Sequence, residues 1–252
     1  MIPTSRTFAE DEHIWFERAA EDAKKNCSFC GGDGWILRKF TVDQVTKDDG
    51  PKTMRCECLD RVNLQLAYRR GNLPQLYWED PPFTIEGDVV KFERAMVDDL
   101  SGRLKVASRF HGLMLLGNYG TGKTTNACWV LRHAAAWNIP FFRVEATEVE
   151  RAMSLVKSGQ SWVDQWLQRG MYLPLVAIDE MGVEAPKGTC GREARSALSY
   201  FVKHRLEQNL DTIVCTNLEQ QQLTEHYGES IASVIFGSMY QFVPLQGQDL
   251  RR

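Results

Sequence analysis

The chain has 252 residues and a mass of 28.8 kDa, enough for one large domain with a small appendage. Hydrophobic residues make up 43% and charged residues 25%, so fibrous, collagen-like and wholly disordered classes are excluded. The net charge of −3 gives no bulk attraction to nucleic acid, and any DNA binding therefore requires a local groove.

Targeting signals and cysteine usage indicate the compartment. No apolar run approaches the roughly 20 residues that cross a bilayer, so we expect no membrane partner. The acidic N-terminal segment lacks the basic-then-apolar pattern of a secretory signal. Seven cysteines, four of them in two close pairs, favour metal ligation in a reducing compartment over a disulfide framework. The sequence therefore predicts a cytoplasmic protein.

Three segments follow one another along the chain. Residues 1–62 hold four cysteines and many charges, with a helix predicted over 9–25, and form a small module of their own. Residues 63–100 are assigned to a linker and the helix that leads into the core, because Gly and Pro interrupt regular structure over 63–86. That helix is predicted over 89–100. Residues 101–252 are assigned to the main domain.

The main domain shows regular alternation. Short apolar runs, each predicted to be a strand, occupy residues 113–116, 141–144, 175–178, 212–215 and 241–245. They alternate with longer amphipathic stretches, including a predicted helix over 125–136. This βαβ alternation predicts a mostly parallel sheet covered by helices.

A glycine-rich loop follows the first of these strands and matches G-x-x-x-x-G-K-[ST] in full. Glycines turn successive backbone N–H groups toward one concavity, and the following helix N-terminus adds partial positive charge, so a phosphate fits there. A lysine and a hydroxyl at the end of the motif would reach the β- and γ-phosphates and ligate Mg²⁺. A surface glycine loop is the alternative. The residues predicted to surround the nucleotide are Gly117, Asn118, Tyr119, Gly120, Thr121, Gly122, Lys123, Thr124 and Thr125.

Polar residues end the next two buried strands. Asp179 and Glu180 follow an apolar run, where the first carboxylate would hold Mg²⁺ with Thr124 and the second would polarise a water toward the γ-phosphate. Asn217 ends the following strand and would hydrogen-bond the γ-phosphate or the attacking water. The alternative for Asn217 is a turn or helix cap. We predict Lys123, Glu180 and Asn217 as the catalytic residues.

The cysteine pairs in the first segment have the pattern of a metal site. Cys27 and Cys30 are followed by glycines, and Cys56 and Cys58 form a second, tighter pair. Four thiolates supply a closed tetrahedral shell, so Zn²⁺ would be structural and not catalytic. Free thiols and an iron–sulfur cluster are the alternatives. Of the other cysteines, Cys128 and Cys215 are predicted in the core and Cys190 in a loop.

The order of these motifs resembles the AAA+ branch of P-loop ATPases. It is most similar to the DnaC/DnaI helicase loaders and the related IstB-like transposition helper ATPases. The residues that carry this resemblance are those of 112–124, 176–182, Arg205 with 212–218, and 227–233. The resemblance covers roughly residues 74–252. It implies a RecA-like αβα core that binds ATP and Mg²⁺ and self-associates, with ATP at subunit junctions. Because the chain ends soon after its last strand, we expect no C-terminal lid.

One position departs from the family pattern. Relatives usually carry an arginine after the Ile-Ala-Ser segment, and it reaches the neighbouring subunit's γ-phosphate, but this chain has Val234 there. Such an arginine is worth about 10³–10⁵ in rate in related enzymes. Either Arg205, Arg195 or Arg192 substitutes, with Arg205 favoured, or hydrolysis is slow and ATP acts as an assembly switch. A surface charge is the alternative for Arg205.

The resemblance implies an ATP-dependent replicative helicase loader of bacterial or phage type. The resemblance to the DnaI-like branch also implies that residues 1–62 are a zinc-binding adaptor module, which would bind the hexameric helicase, while the ATPase would help deliver the helicase to single-stranded DNA. An IstB-like transposition helper and a non-hydrolysing ATP-binding adaptor are the alternatives. The zinc module disfavours the first, and Val234 favours the second.

Overall fold

The computed structural model describes residues 8–28, 30–37, 53–103, 109–156, 161–182, 189–237 and 239–246. They belong to two compact units, Met1–Arg69 and Arg70–Arg252. Among the described residues, no helix is both long enough and apolar enough to span a bilayer.

The N-terminal unit is built from two helices and a two-stranded ribbon. Its elements are α1 (Phe8–Lys25), β1 (Trp35–Leu37), β2 (Thr53–Arg55) and α2 (Glu57–Arg70). The ribbon is antiparallel, with Ile36 opposite Met54. Its small apolar cluster has Ala20, Leu59 and Val62 at its centre.

The C-terminal unit alternates strands and helices, as the βαβ pattern predicts. A short 3₁₀ turn at Gln75–Tyr77 precedes these elements. The strands are β3 (Gly112–Leu116), β4 (Phe141–Glu145), β5 (Leu175–Met181), β6 (Asp211–Thr216) and β7 (Tyr240–Pro244). The helices are α3 (Asp88–Leu100), α4 (Lys123–Ala136), α5 (Ala146–Leu155), α6 (Ser161–Tyr172), α7 (Thr189–Glu207), α8 (Gln220–Tyr227) and α9 (Glu229–Ile235).

The five strands form one parallel sheet in the order β4-β5-β6-β3-β7. The interior strands are buried along almost their whole length because helices cover both faces of the sheet. Strand β6 lies between β3 and β5, so the polar residues that end these three strands come to one edge. That edge, formed by the carboxyl ends of parallel strands, is where ligands bind in such sheets.

Each predicted strand corresponds to an observed one, with ends that differ by three residues at most. The core forms because alternate strand residues, such as Met114, Val176 and Val214, pack against apolar side chains of α5 and α7. Helix α4 covers the opposite face and buries Val130 and Leu131.

One local prediction is wrong, and one segment is more regular than expected. Residues 63–70, which the sequence analysis assigns to the linker, complete helix α2. The helix has only a weak apolar stripe. Its buried residues Leu59 and Val62 belong to a small apolar cluster that no sequence pattern predicts. Cys190 lies in the first turn of α7 and not in a loop. The proposed division into adaptor, linker and main domain stays a prediction.

Arg205 is not a surface residue and cannot serve a neighbouring subunit. Its side chain is 0% exposed. Its Nη1 donates to the carbonyls of Gly170 and Leu173 at 2.7 and 3.0 Å, and its Nη2 donates to the Asp211 carbonyl at 2.6 Å. Its Nε donates to Thr212 Oγ1 at 3.0 Å. Burial lowers the pKa of Arg205 to about 10, so the guanidinium remains charged at neutral pH.

The position of Arg205 gives the physical reason for the correction. Leu173 precedes β5, and Asp211 begins β6, so Arg205 lies at the amino-terminal edge of the sheet. The phosphate loop follows the carboxyl end of β3, at the opposite edge. Arg205 therefore has a structural role, because it donates to buried backbone carbonyls. Its prediction as the trans-acting arginine is wrong.

Replacing Arg205 with methionine should lower the free energy of unfolding by at least about 3 kcal/mol. Three buried carbonyls would lose a charged donor, and each unsatisfied polar group costs about 1–3 kcal/mol. Urea unfolding followed by circular dichroism measures the change. ATP turnover per folded chain should stay unchanged. A variant of unaltered stability that has lost turnover would restore the trans-acting role.

Candidate functional site

The phosphate loop connects β3 to α4. Gly120 and Gly122 have φ of 77° and 86°, in the left-handed region that favours glycine, and Gly122 caps the N-terminus of α4. Thr121 Oγ1 donates to the Asn118 carbonyl at 2.9 Å and holds the loop closed across its base. The loop thus presents a concave backbone at a helix N-terminus, which is a site suited to an anion.

Lys123 begins α4 and turns back over the loop. Its ammonium donates to the carbonyls of Gly117 and Asn118, both at 2.7 Å. These carbonyls hold the positive charge beside the loop concavity. The lysine is therefore positioned to meet an anion that enters there.

The end of β5 is irregular, and this irregularity separates the two carboxylates. The pairing of β5 with β6 shifts register between Ile178 and Met181. Glu180 has φ of 55°, in the left-handed region, and its side chain is exposed, whereas Asp179 is 3% exposed. A bulge of this kind re-aims side chains, and residues strained in this way cluster at functional sites.

Asp179 and Thr124 are in direct contact. Thr124 Oγ1 donates to Asp179 Oδ1 at 3.1 Å, and the Glu180 backbone N–H donates to the same oxygen at 3.1 Å. A hydroxyl beside a carboxylate is the oxygen-rich donor set that Mg²⁺ prefers. The two residues predicted as magnesium ligands therefore lie together, 55 positions apart in the sequence.

Asn217 follows directly after β6, between the phosphate loop and the Asp179 strand, and is half-buried. The strand end before it is fixed, because Thr216 Oγ1 donates to the Met181 carbonyl at 2.7 Å. The structure therefore brings Lys123, Asp179 and Asn217 to the same edge. Their individual roles stay predictions.

Arg143 is a site residue that the sequence analysis missed. It lies on β4, and its Nη2 donates to Asp179 Oδ2 at 2.8 Å. Burial alone would lower the pKa of the Arg143 guanidinium, but the charge and hydrogen bond of Asp179 outweigh it and raise that pKa above its usual range. The signal was present, since a charged residue inside an apolar strand requires a buried partner.

A cavity of about 440 Å³ adjoins the phosphate loop. One wall comes from α4 and includes Thr125 and Trp129, and the other comes from the segment 76–83, including Tyr77 and Phe83. Charged side chains, among them Asp80 and Arg132, share these walls with the aromatic ones. A more open cavity of about 640 Å³ lies along α7 and α8 and contains none of the predicted site residues.

Of the three arginines proposed to replace the trans-acting arginine, Arg205 is excluded by its burial. Val234 is on α9, half-buried and packed on the core. Arg192 and Arg195 are on α7, but their side chains lie outside the described part of the chain. These two positions remain the candidates.

The four predicted zinc ligands form one cluster in the N-terminal unit. The sulfurs of Cys27, Cys30, Cys56 and Cys58 all lie within 4.8 Å of one another. Cys27 and Cys56 sulfurs are 3.6 Å apart, and those of Cys30 and Cys58 are 3.8 Å apart. Four sulfurs at the usual Zn–S distance of about 2.3 Å are separated by about 3.8 Å in a tetrahedron. The cluster therefore has the size of a structural zinc site.

The cysteines predicted in the core are there. Cys128 on α4 and Cys215 on β6 are buried. Burial raises the pKa of the Cys128 thiol to about 12, so at neutral pH it is an inert, protonated core residue.

Comparisons with known proteins identify the fold. No protein-family model and no curated protein sequence matches the chain. A crystal structure of DnaI gives a TM-score of 0.53 at 18% identity, over 71% of this chain and 94% of that chain. The DnaC helicase loader gives 0.53 at 16% identity, over 69% of this chain and 100% of that chain. The replication initiator DnaA bound to AMPPCP and single-stranded DNA gives 0.52 at 13% identity, over 69% of this chain and 51% of that chain.

Identities this low show the fold and nothing finer. The predicted fold, an α/β core with a parallel sheet and a phosphate loop, together with a cysteine cluster in the N-terminal region, is confirmed. The resemblance to the DnaC/DnaI loaders is confirmed at the level of the fold.

Proposed function

We propose that this chain is an ATP-dependent replicative helicase loader, which binds the hexameric helicase and helps deliver it to single-stranded DNA. One observation carries the nucleotide part of the proposal. The phosphate loop, Lys123, the Thr124–Asp179 pair and Asn217 meet at one edge of the sheet, although more than 90 residues separate them in sequence.

In this proposal each side chain has a chemical task. Lys123 exchanges the loop carbonyls for β- and γ-phosphate oxygens, and Thr124 with Asp179 holds Mg²⁺, which neutralises charge on those oxygens when bound. Glu180 accepts a proton from a water that attacks the γ-phosphorus. The bond to the bridging β–γ oxygen breaks, and ADP and phosphate leave. Asn217 orients that water or the γ-phosphate.

The cavity beside the phosphate loop supports a nucleoside triphosphate in particular. In our proposal the base enters between Trp129 on α4 and the segment 76–83, while the phosphates lie on the loop. Arg132 lines the same cavity and forms an ion pair with Asp80 at 3.0 Å.

The cysteine cluster supports the assignment of a docking module. We assign Zn²⁺ to the four sulfurs, because their spacing fits a tetrahedral shell and the apolar cluster of the N-terminal unit is small. With all four positions occupied by protein, the metal has a structural role. The module then presents a rigid surface to the helicase, as the resemblance to the DnaI-like branch implies.

A second candidate, a non-hydrolysing ATP-binding adaptor, is favoured by one observation. Val234 occupies the expected arginine position, and Arg205 is buried at the far edge of the sheet. Without a trans-acting arginine, ATP would order the fold and its assembly while turning over slowly.

Capture of the partner tests the loader assignment. The tagged full chain, bound to beads and exposed to an extract of its native host, should retain a hexameric helicase that mass spectrometry identifies. A variant lacking Met1–Arg69 should retain none, because that unit carries the proposed docking surface.

The full chain with Lys123→Ala is the matched control, since it keeps the N-terminal unit and should still capture the helicase. Equal capture by the truncated variant would refute the adaptor assignment. Capture of a transposase in place of a helicase would favour an IstB-like function.

A further inference from the structure

We propose that Arg143 is a positioning residue for the magnesium site, acting through Asp179. This inference rests on the proposed binding of ATP and Mg²⁺ and names a residue that the phosphate-loop motifs do not include. The observation that supports this role is the buried hydrogen bond from Arg143 Nη2 to Asp179 Oδ2 at 2.8 Å.

The two oxygens of Asp179 are held from opposite sides. Oδ2 accepts from Arg143, while Oδ1 accepts from Thr124 Oγ1 and from the Glu180 backbone N–H, both at 3.1 Å. This grip fixes the plane of the carboxylate. It keeps Oδ1 directed at Thr124, the other residue proposed to hold the metal.

Burial makes this contact costly to lose. Arg143 is 8% exposed and Asp179 is 3% exposed, so removal of the guanidinium would leave a buried carboxylate without its charged partner. The carboxylate would then rotate toward other donors. Metal affinity depends on outer partners of this kind, and their loss typically costs 10–100-fold.

A comparison with Arg205 separates the two buried arginines. Arg205 donates from all three nitrogens to backbone carbonyls and one hydroxyl, which is a structural role. The side chain of Arg143 instead donates to carboxylates, namely Asp179 and, at 3.4 Å, Glu145. Its hydrogen bonds are directed at charges at the nucleotide edge and not at the backbone.

The backbone of Arg143 is fixed in turn from outside the sheet. Strand β4 is an edge strand, and the Arg143 N–H donates to the Gly71 carbonyl at 2.8 Å. Asn72 Nδ2 donates to the Arg143 carbonyl at 2.9 Å. A side chain at Gly71 would collide with the Phe141 ring, so only glycine permits this approach. Residues 71–72 therefore hold the strand at the position that carries Arg143.

Fluorescent ADP binding, measured with Mg²⁺ and again with EDTA, tests the inference. In the unmodified chain Mg²⁺ should tighten the binding of fluorescent ADP. In Arg143→Met the Mg²⁺-dependent tightening should shrink by about tenfold or more, while the Kd in EDTA stays unchanged. Arg143→Lys, which keeps the charge, should recover part of the tightening.

Two further variants guard against a merely structural effect. Arg109→Met is the matched control, because Arg109 also pairs with carboxylates, Asp99 and Asp211, but Asp211 begins β6 at the amino-terminal edge of the sheet, so this variant should keep full tightening. Asn72→Gly, which suits the φ of 56° at that position, should lose tightening in the same direction to a smaller extent.

The outcomes are distinct. Full tightening in Arg143→Met, or an equal loss with and without Mg²⁺, would overturn the positioning role. If Arg143→Met does not fold, full tightening in both Arg143→Lys and Asn72→Gly overturns it. If the unmodified chain binds no nucleotide, the proposed function itself is wrong.

Discussion

Replacing Glu180 with glutamine should lower ATP turnover by about 10²–10⁴-fold and leave ATP binding intact. The bulge at the end of β5 exposes Glu180 while Asp179 stays buried, so the substitution touches neither the phosphate loop nor the Thr124–Asp179 contact. Glutamine keeps the size of the side chain but cannot accept the proton of the attacking water. Phosphate release measures turnover, and titration with fluorescent ATP measures binding.

Lys123→Ala is the contrasting variant, since it should lose both turnover and binding. The ammonium is the only side-chain charge contributed by the loop motif, and it already lies against the loop carbonyls. Turnover at the normal rate in Glu180→Gln would remove Glu180 from the mechanism. If the unmodified chain shows no turnover even with helicase and single-stranded DNA, the non-hydrolysing adaptor is the correct function.

The parallel sheet and the nucleotide edge were predictable because their signals are local. A strand buried on both faces requires a continuous apolar run, and the polar residues that end it are adjacent in sequence. The phosphate loop is a contiguous motif with fixed glycine positions. Parallel topology then brings Thr124 to Asp179 without any further information.

The burial of Arg205 and Arg143 was not predicted from the sequence. Arginine is mostly exposed in proteins, so Arg205 on an amphipathic helix was interpreted as available to a partner. Its acceptors, the carbonyls of Gly170, Leu173 and Asp211, come from other elements and carry no sequence signature. Arg143 differs, because its place within the run Phe141–Glu145 was itself a signal of a buried ion pair.

Helix α2 was not predicted from the sequence, for a related reason. A helix of a large core shows a wide apolar stripe, whereas α2 buries only three of its side chains, Leu59, Val62 and Tyr68. In a unit this small, the cysteine cluster and not the apolar pattern indicates which residues come together. The four cysteines were consequently a better guide to this unit than hydrophobic periodicity.

Replacing Cys27 with serine should abolish zinc binding and unfold the N-terminal unit. The unmodified chain should carry about one zinc per chain, because the four sulfurs form a single closed cluster. Structural zinc contributes an apparent 10–16 kcal/mol at neutral pH, comparable to or larger than the whole stability of an ordinary domain. Metal analysis measures the zinc content, and limited proteolysis should show cleavage within residues 1–69 of the variant.

Cys128→Ala provides the control, since Cys128 is a buried thiol of the C-terminal unit and its removal should leave the zinc content at one. Nucleotide binding should survive in Cys27→Ser, because no residue of the phosphate loop lies in the N-terminal unit. Iron and visible absorbance in the purified chain would instead identify an iron–sulfur cluster. If the chain folds normally without any metal, the small apolar cluster is enough to fold the N-terminal unit. That result would contradict the proposed zinc-stabilised docking module.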